Sequence, residues 1–228
     1  GLATEVAGER QFAELRGMLG GPATLRALEL LDRLELTAVV LPELEATRGV
    51  VQNPNHHLDV HGHTLAVLEE WLRIESDLPG FAPELAEQID AFLAEPLADE
   101  LTRAQALRFG ALFHDLGKPQ TRGEQAGYVT FIGHDRAGAE IVAGICRRLR
   151  TSNALSSHLQ GLALHHLRLG FLIHERPLSR GAIYDYLSAT EPVAADVTLL
   201  SAADRLAARG SGPLASSEMV EAHMELAR

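Results

Sequence analysis

The chain has 228 residues, 46% of them hydrophobic, with a formal net charge of −11 and a single cysteine. That length suits one large domain or two small ones, with about 70–75% of the unfolded chain's surface buried on folding, and the acidic balance argues against broad non-specific binding to nucleic acid while favouring bound metal cations. With no apolar run of membrane length, no secretory signal and only Cys146 for disulfide chemistry, a cytoplasmic setting is expected.

Gly1 in the place of an initiator methionine suggests a trimmed chain or an internal fragment. Residues 3–36 predict two helices. Val6, Phe12, Leu15 and Leu19 mark the first, Gly20-Gly21-Pro22 breaks it, and Leu25 to Leu34 resumes the stripe. Val39 to Leu44 reads as a buried turn of helix, and Asn53-Pro54-Asn55 as a turn that delivers His56-His57-Leu58-Asp59-Val60-His61-Gly62-His63 to a helix with Leu65, Leu68, Trp71 and Leu72 on one face. Pro79-Gly80 should end that segment, and an amphipathic helix over 83–95 should close at Pro96. Thr102 and Gln105 fit a capping box for the helix that follows.

That helix carries Leu107, Ala111 and Leu112 and closes on His114-Asp115, with Gly117 expected to end it in the left-handed conformation and Pro119 to stop continuation. The helical period vanishes between Gln120 and Phe131, where Glu124 to Gly127 predicts a turn and Tyr128 to Phe131 a strand, together a small hairpin. Helices are expected over 135–149, from a Ser152-Asn153 cap to about Leu167, over 179–189 and over 193–208, with a short last helix after a loop at 210–213. The fold class is therefore all-α: a helical bundle with one hairpin inserted after the His-Asp pair.

Histidines and carboxylates recur where such helices can converge. His63 opens one core helix, His114-Asp115 closes another, His134 opens a third, His165-His166 lies near the end of a fourth, and Asp204 stands in the alanine-rich stretch Ser201-Ala202-Ala203-Asp204-Arg205-Leu206-Ala207. Mixed imidazole and carboxylate donors suit Mn, Fe, Co, Ni or Zn better than calcium, with Mg as a further candidate. Lys118, the chain's one lysine, is placed to meet negative charge beside the dyad.

The order His63, His114-Asp115, Asp204, in the contexts DVHGHTL, FHDLGKP and AADRLA, resembles that of the HD-domain metal-dependent phosphohydrolases. More narrowly, Glu9-Arg10, Leu41-Pro42-Glu43-Leu44, HHLDVHGHT, HDLGKPQTR, FIGHDRAGAE, RRLRTSN and HHLRLG resemble the neck and HD region of bacterial tRNA nucleotidyltransferases (CCA-adding enzymes), over most of residues 9–210. The resemblance implies a neck-like helical segment over 1–50, an HD domain over 51–210 and a C-terminal helix over 211–228. It implies a first metal site of His63, His114, Asp115 and Asp204. In relatives with a second ion, Asp115 would bridge and His134 and His166 would join; His134 could instead bind substrate phosphate. His56, His57 and His61 are candidates to line the site, whereas His158, His174 and His223 are read as structural.

Two departures limit the reading. Gly210-Ser211 is followed by no pair of aspartates, so the nucleotide-adding head is missing, and Gly127-Tyr128 is followed by Val129 where cyclic-dinucleotide hydrolases have proline. The function implied is hydrolysis of nucleotides or RNA ends carrying 2′- or 3′-phosphates or 2′,3′-cyclic phosphates, by attack of a metal-activated water. Asp115 and Lys118 are the catalytic candidates, and Lys118, Arg168 and His134 the substrate-binding ones. The rivals are a non-catalytic RNA-binding or scaffolding fragment of a larger tRNA-processing protein and a nucleoside-triphosphate hydrolase of the same fold. Nucleotidyltransferase or kinase fusions are the expected larger settings, and no membrane partner is expected.

Overall fold

The computed structural model describes residues 7–228; Val6 of the first predicted stripe lies outside them. The two N-terminal helices are α1 (Gly8–Gly20) and α2 (Thr24–Arg33), followed by single turns α3 (Thr37–Val40) and α4 (Pro42–Glu45) in place of any strand. α5 (Val60–Ser76) starts at an Asp59 cap whose carboxylate accepts from Gly62 N at 2.7 Å and Gly49 N at 2.6 Å. It ends before Pro79-Gly80, which lie inside a further turn, α6 (Leu78–Phe81).

The helix expected over 83–95 is shorter, α7 (Ala86–Leu93), and an unpredicted antiparallel pair, β1 (Pro96–Ala98) and β2 (Leu101–Thr102), follows it. Asp99 and Glu100, both with positive φ, make its turn without the usual glycine, which hid it from sequence. The capping box forms as predicted and opens α8 (Arg103–Phe113). Beyond α9 (Lys118–Thr121), the predicted hairpin is β3 (Gly123–Gln125) and β4 (Tyr128–Thr130), closed by Ala126-Gly127, both at positive φ. α10 (His134–Leu149), α11 (Asn153–His165), α12 (Arg168–Leu172), α13 (Arg180–Thr190), α14 (Ala194–Ala207) and α15 (Ser217–Ala227) complete the chain; α12 is the helix sequence periodicity passed over. Among the described residues two short hairpins are the only sheet structure, and the class is all-α.

The centre is a three-way packing of α5, α8 and α14, with α11 against α8 and α14 and the α10–α11 pair beside it. Trp71, Phe109 and Phe113 are the bulkiest side chains fully buried there. The N-terminal helices share this core through Phe12, Leu15 and Leu19 and are held by two arginines. Arg108 on α8 donates to the carbonyls of Leu19 (2.7 Å) and Gly21 (2.9 Å), satisfying open acceptors at the end of α1, and pairs with Glu75 on α5 at 2.8 Å. Arg148 on α10 donates to Val40 O (2.8 Å) and pairs with Glu43 at 2.6 Å.

Two buried histidines, His158 and His223, and the half-buried His56 make stability pH-dependent. Burial, with Arg103 nearby, takes His158 down to about 4, and burial takes His223 to about 4 and His56 to about 3. From about pH 6.5 down to about 4 the unfolded chain therefore binds protons that the folded chain excludes, so stability falls as pH falls. Asp196, raised by burial to about 6 despite Arg103, works in the opposite sense over a similar window, as one group against three. The urea midpoint should decrease steadily from about pH 7 to pH 4.5, and a midpoint that rises over that range would contradict the assignment.

Candidate metal centre

Five helix ends meet at one point. His63 lies in the first turn of α5, His114 caps the C-terminus of α8 with Asp115 just beyond, His134 begins α10, His166 caps the C-terminus of α11, and Asp204 is in the last turn of α14. Helix ends are where adjacent residues such as His114 and Asp115 can both face one centre, since successive side chains in mid-helix diverge by about 100°.

Gly117 makes the approach of α10 possible, though not by the predicted left-handed cap, because its φ is −77°. A Cβ here would overlap the His134 carbonyl and lie 2.6 Å from Gly138 N, so the glycine is there to let two backbones touch. Gly117→Ala is expected to push α10 off the dyad, lowering the melting temperature and metal affinity together. Unchanged metal affinity in a folded variant would dissociate Gly117 from the site.

The tautomers follow from geometry. His114, His134 and His166 each set Nδ1 against a carbonyl three residues earlier: Ala111 at 2.9 Å, Phe131 at 2.6 Å and Ala163 at 2.7 Å. A carbonyl can only accept, so Nδ1 holds the proton and the neutral ring presents a lone pair at Nε2. All three Nε2 atoms face Asp115. His114 is 3.2 Å from Oδ2, while His134 and His166 are 3.4 and 3.6 Å from Oδ1. His63 Nε2 is 2.9 Å from Asp204 Oδ1 and 3.7 Å from Asp115 Oδ2. The potential donor atoms of His63, His114 and Asp204 lie within 4.8 Å of one another, as do those of Asp115, His134 and His166.

This donor set fits divalent cations. His134 Nε2 and His166 Nε2 are 3.3 Å apart, two lone pairs facing each other beside a carboxylate oxygen. His114 Nε2 and both Asp115 oxygens are buried without an aligned hydrogen bond, although Lys118 Nζ makes an ionic contact to Oδ2 at 2.6 Å. Buried acceptors that face one another with too few protons among them need a cation. The charges are set the same way. Burial would raise the Asp115 carboxyl, but His114 and Lys118 outweigh it and hold it well below the usual range; burial likewise opposes ionisation of Asp204, which the His63 hydrogen bond keeps low. Burial lowers His63 and His166, keeping both rings neutral and ready to coordinate, whereas for His114 the Asp115 charge overcomes burial and raises the pKa.

The cavity beside this centre has a volume of about 370 Å³ and is lined by Asn53, Asn55, His56, Asp115, Lys118, His134, His166, Asp204, Arg205 and an apolar side that includes Phe131 and Ile132. Lys118, 6% exposed, donates to Gln52 at 2.7 Å, which fixes the ammonium at the edge of the site. His56 packs edge-on against His63, with ring centres 4.7 Å apart. His57 is exposed, and His61 is buried against Thr47 away from this cavity. Arg168 is exposed and donates from Nε to His165 at 2.9 Å; it is not among the cavity residues. The guanidinium that does line the cavity is Arg205, with one arm on Leu214 O at 2.9 Å and a buried Nε lacking a partner. Sequence reasoning missed Arg205 and Gln52. Arg205 stands directly after Asp204, a visible signal, while nothing in VVQNPN marks Gln52.

Residues 90–209 match the family model for the HD domain, and residues 2–47 match the model described as a probable RNA and SrmB-binding site of polymerase A. The chain is 32% identical to a CC-adding tRNA nucleotidyltransferase of Thermus thermophilus over 204 residues, 89% of this chain and 40% of that protein. It is 31% identical over the same length and shares to an A-adding tRNA nucleotidyltransferase of Deinococcus radiodurans. With a multifunctional CCA protein of Nitrosococcus oceani it shares 30% identity over 191 residues, 82% of this chain and 39% of that protein. The chain thus spans about two fifths of the length of these relatives. Among the described residues no helix is long and apolar enough to cross a membrane.

Proposed function

The chain belongs to the HD-domain family, and from that premise we propose that it is a metal-dependent phosphohydrolase acting on nucleotides or RNA ends that carry a 2′- or 3′-phosphate or a 2′,3′-cyclic phosphate. The observation that carries this reading is the convergence of His63, His114, His134 and His166 on the two oxygens of Asp115, with Asp204 joined to the group through His63. Divalent ions held there would supply a water of pKa near 7 and polarise phosphoryl oxygens. His63, His114 and Asp204 would hold one ion, His134 and His166 another, with Asp115 shared between them.

The protein's own groups do the rest. Lys118 presents a fixed ammonium, braced by Gln52 and only 6% exposed, where negative charge develops as the P–O bond breaks. Asp115 keeps its charge at any pH near neutrality and holds both halves of the centre together. The neutral His63 and His166 rings need no deprotonation before coordinating. Residues 1–50 are proposed to act as a neck-like segment. The match of residues 2–47 to an RNA-binding model supports an RNA end as the substrate carrier, as do relatives named for tRNA nucleotide addition.

The test is elemental analysis of the purified chain, paired with a phosphoester screen in Mn, Fe, Co, Ni, Zn and Mg. One or two equivalents of transition metal and turnover of cyclic or terminal phosphates are expected. Absence of both would leave the chain as an RNA-binding part of a larger protein, and selective turnover of nucleoside triphosphates would transfer it to that class of hydrolase.

A further inference from the structure

The cavity is larger than the chemistry requires. At about 370 Å³ it falls within the size range of small-ligand sites and far exceeds the space a phosphate needs. Its residues divide by character: Asp115, Lys118, His134, His166, Asp204 and Arg205 are charged or coordinating, Asn53, Asn55, His56 and Thr130 are polar, and Val129, Phe131, Ile132, Leu167, Ala208 and Leu214 are apolar. The apolar part adjoins the charged part. The Phe131 ring centre lies 5.4 Å from Lys118 Nζ and 6.4 Å from the His134 ring centre, so the apolar side borders the coordinating groups. The next residue, Ile132, is 76% exposed, an apolar side chain that the core does not use. The elements that bring these residues together, the β4 end, the α11–α12 junction and the turn at Leu214, are separate in sequence.

Resting on the phosphohydrolase reading, we propose that Phe131, Ile132, Leu167 and Leu214 form a wall that holds the nucleobase of the residue whose phosphate is hydrolysed. The site then takes the terminal nucleotide as a unit. A base offers an apolar face whatever its identity, and the side-chain oxygens of the two amides in the same cavity, Asn53 and Asn55, are already engaged by Asn55 N and His56 and by Leu214 N. Recognition is therefore base-dependent without being base-specific, and it favours purines for their larger face. An enzyme that trims RNA ends of varied sequence would need this combination.

Two substrates with the same reacting ring separate the wall from the ions: adenosine 2′,3′-cyclic phosphate, and glycerol 1,2-cyclic phosphate, which has no base. In the metal-loaded chain kcat/KM should favour the nucleotide by about tenfold or more. Ile132→Ala should raise KM for the nucleotide several-fold with kcat unchanged and leave the glycerol ester unaffected, while Ile132→Trp should restore or exceed the wild-type preference. Ile132 is exposed, so neither variant threatens folding. In the metal-free chain, saturation-transfer NMR with adenosine 3′-monophosphate should mark the base protons, and the signal should weaken in Ile132→Ala. Equal kcat/KM for the two esters with no saturation of the base overturns the wall and leaves the phosphohydrolase reading intact. Saturation of the base with no turnover in any metal overturns the phosphohydrolase reading and leaves the wall. An equal loss on both esters in Ile132→Ala overturns the wall through a general effect on the site.

Discussion

Asp115→Asn is expected to empty the metal centre and lower phosphoester turnover by about a thousandfold or more. One carboxylate serves both halves. Its Oδ2 faces His114 at 3.2 Å and His63 at 3.7 Å, and its Oδ1 faces His134 at 3.4 Å and His166 at 3.6 Å. An amide of the same shape keeps the volume and loses the charge that makes a cluster of lone pairs bind a cation. Asparagine is preferable to alanine because it keeps the side-chain volume at a position that is 1% exposed and so isolates the loss of charge. The variant still loses stability, because buried Lys118 keeps its charge while its carboxylate partner becomes a neutral amide, at a cost of up to about 3–5 kcal/mol, the range for breaking a buried pair from one side. Metal content by elemental analysis and helix content by circular dichroism separate the two effects: metal absent, helix retained.

Lys118→Ala gives the contrasting result. The ammonium stands 2.6 Å from Asp115 Oδ2 and competes with any cation for that oxygen. Its removal should leave metal affinity unchanged or tighter, while kcat drops by about a hundredfold because charge developing on the phosphoryl oxygens loses its partner. Metal loss equal to that of the Asp115 variant would show that Lys118 supports structure alone.

Much of this centre was legible in the sequence because helix ends announce themselves. The Thr102–Gln105 box and the Ser152 cap mark helix starts in the sequence, and His63 and His134, read as opening helices, do fall within first turns. What spacing could not give was convergence. His63 and Asp204 are 141 residues apart and touch at 2.9 Å because α5, α8 and α14 pack on one another, which only the tertiary fold decides. Arg168 illustrates the limit. Its place after His165-His166 predicted a cation at the site, but a new helix begins at Arg168 and turns the side chain onto His165. Arg205, on a helix already committed to the site by Asp204, lines the cavity instead. Gly117 was read for its conformation and matters for its missing side chain, a distinction that needs the neighbouring α10 backbone to be seen.

Removing His134 or His166 tests whether the centre holds two ions. His134 Nε2 and His166 Nε2 are 3.3 Å apart, each with its proton committed to a backbone carbonyl through Nδ1. Two facing lone pairs repel, and the third neighbour, Asp115 Oδ1, is an acceptor as well. That arrangement is stable only with a positive charge among the three, supplied by a proton on one ring or by a metal ion. Within the same centre, His63, His114 and Asp204 form a second set that uses none of those atoms, and Asp115 reaches it through its other oxygen. An ion held by each set would let the pair serve attacking and leaving oxygens together. The wild-type chain, saturated with Mn or Co and desalted, is therefore expected to retain two equivalents. His134→Ala and His166→Ala should each retain one, held by His63, His114 and Asp204, and lose turnover by about a hundredfold or more. One equivalent in all three proteins, with turnover still lost in the variants, would instead make His134 and His166 ligands of the substrate phosphate.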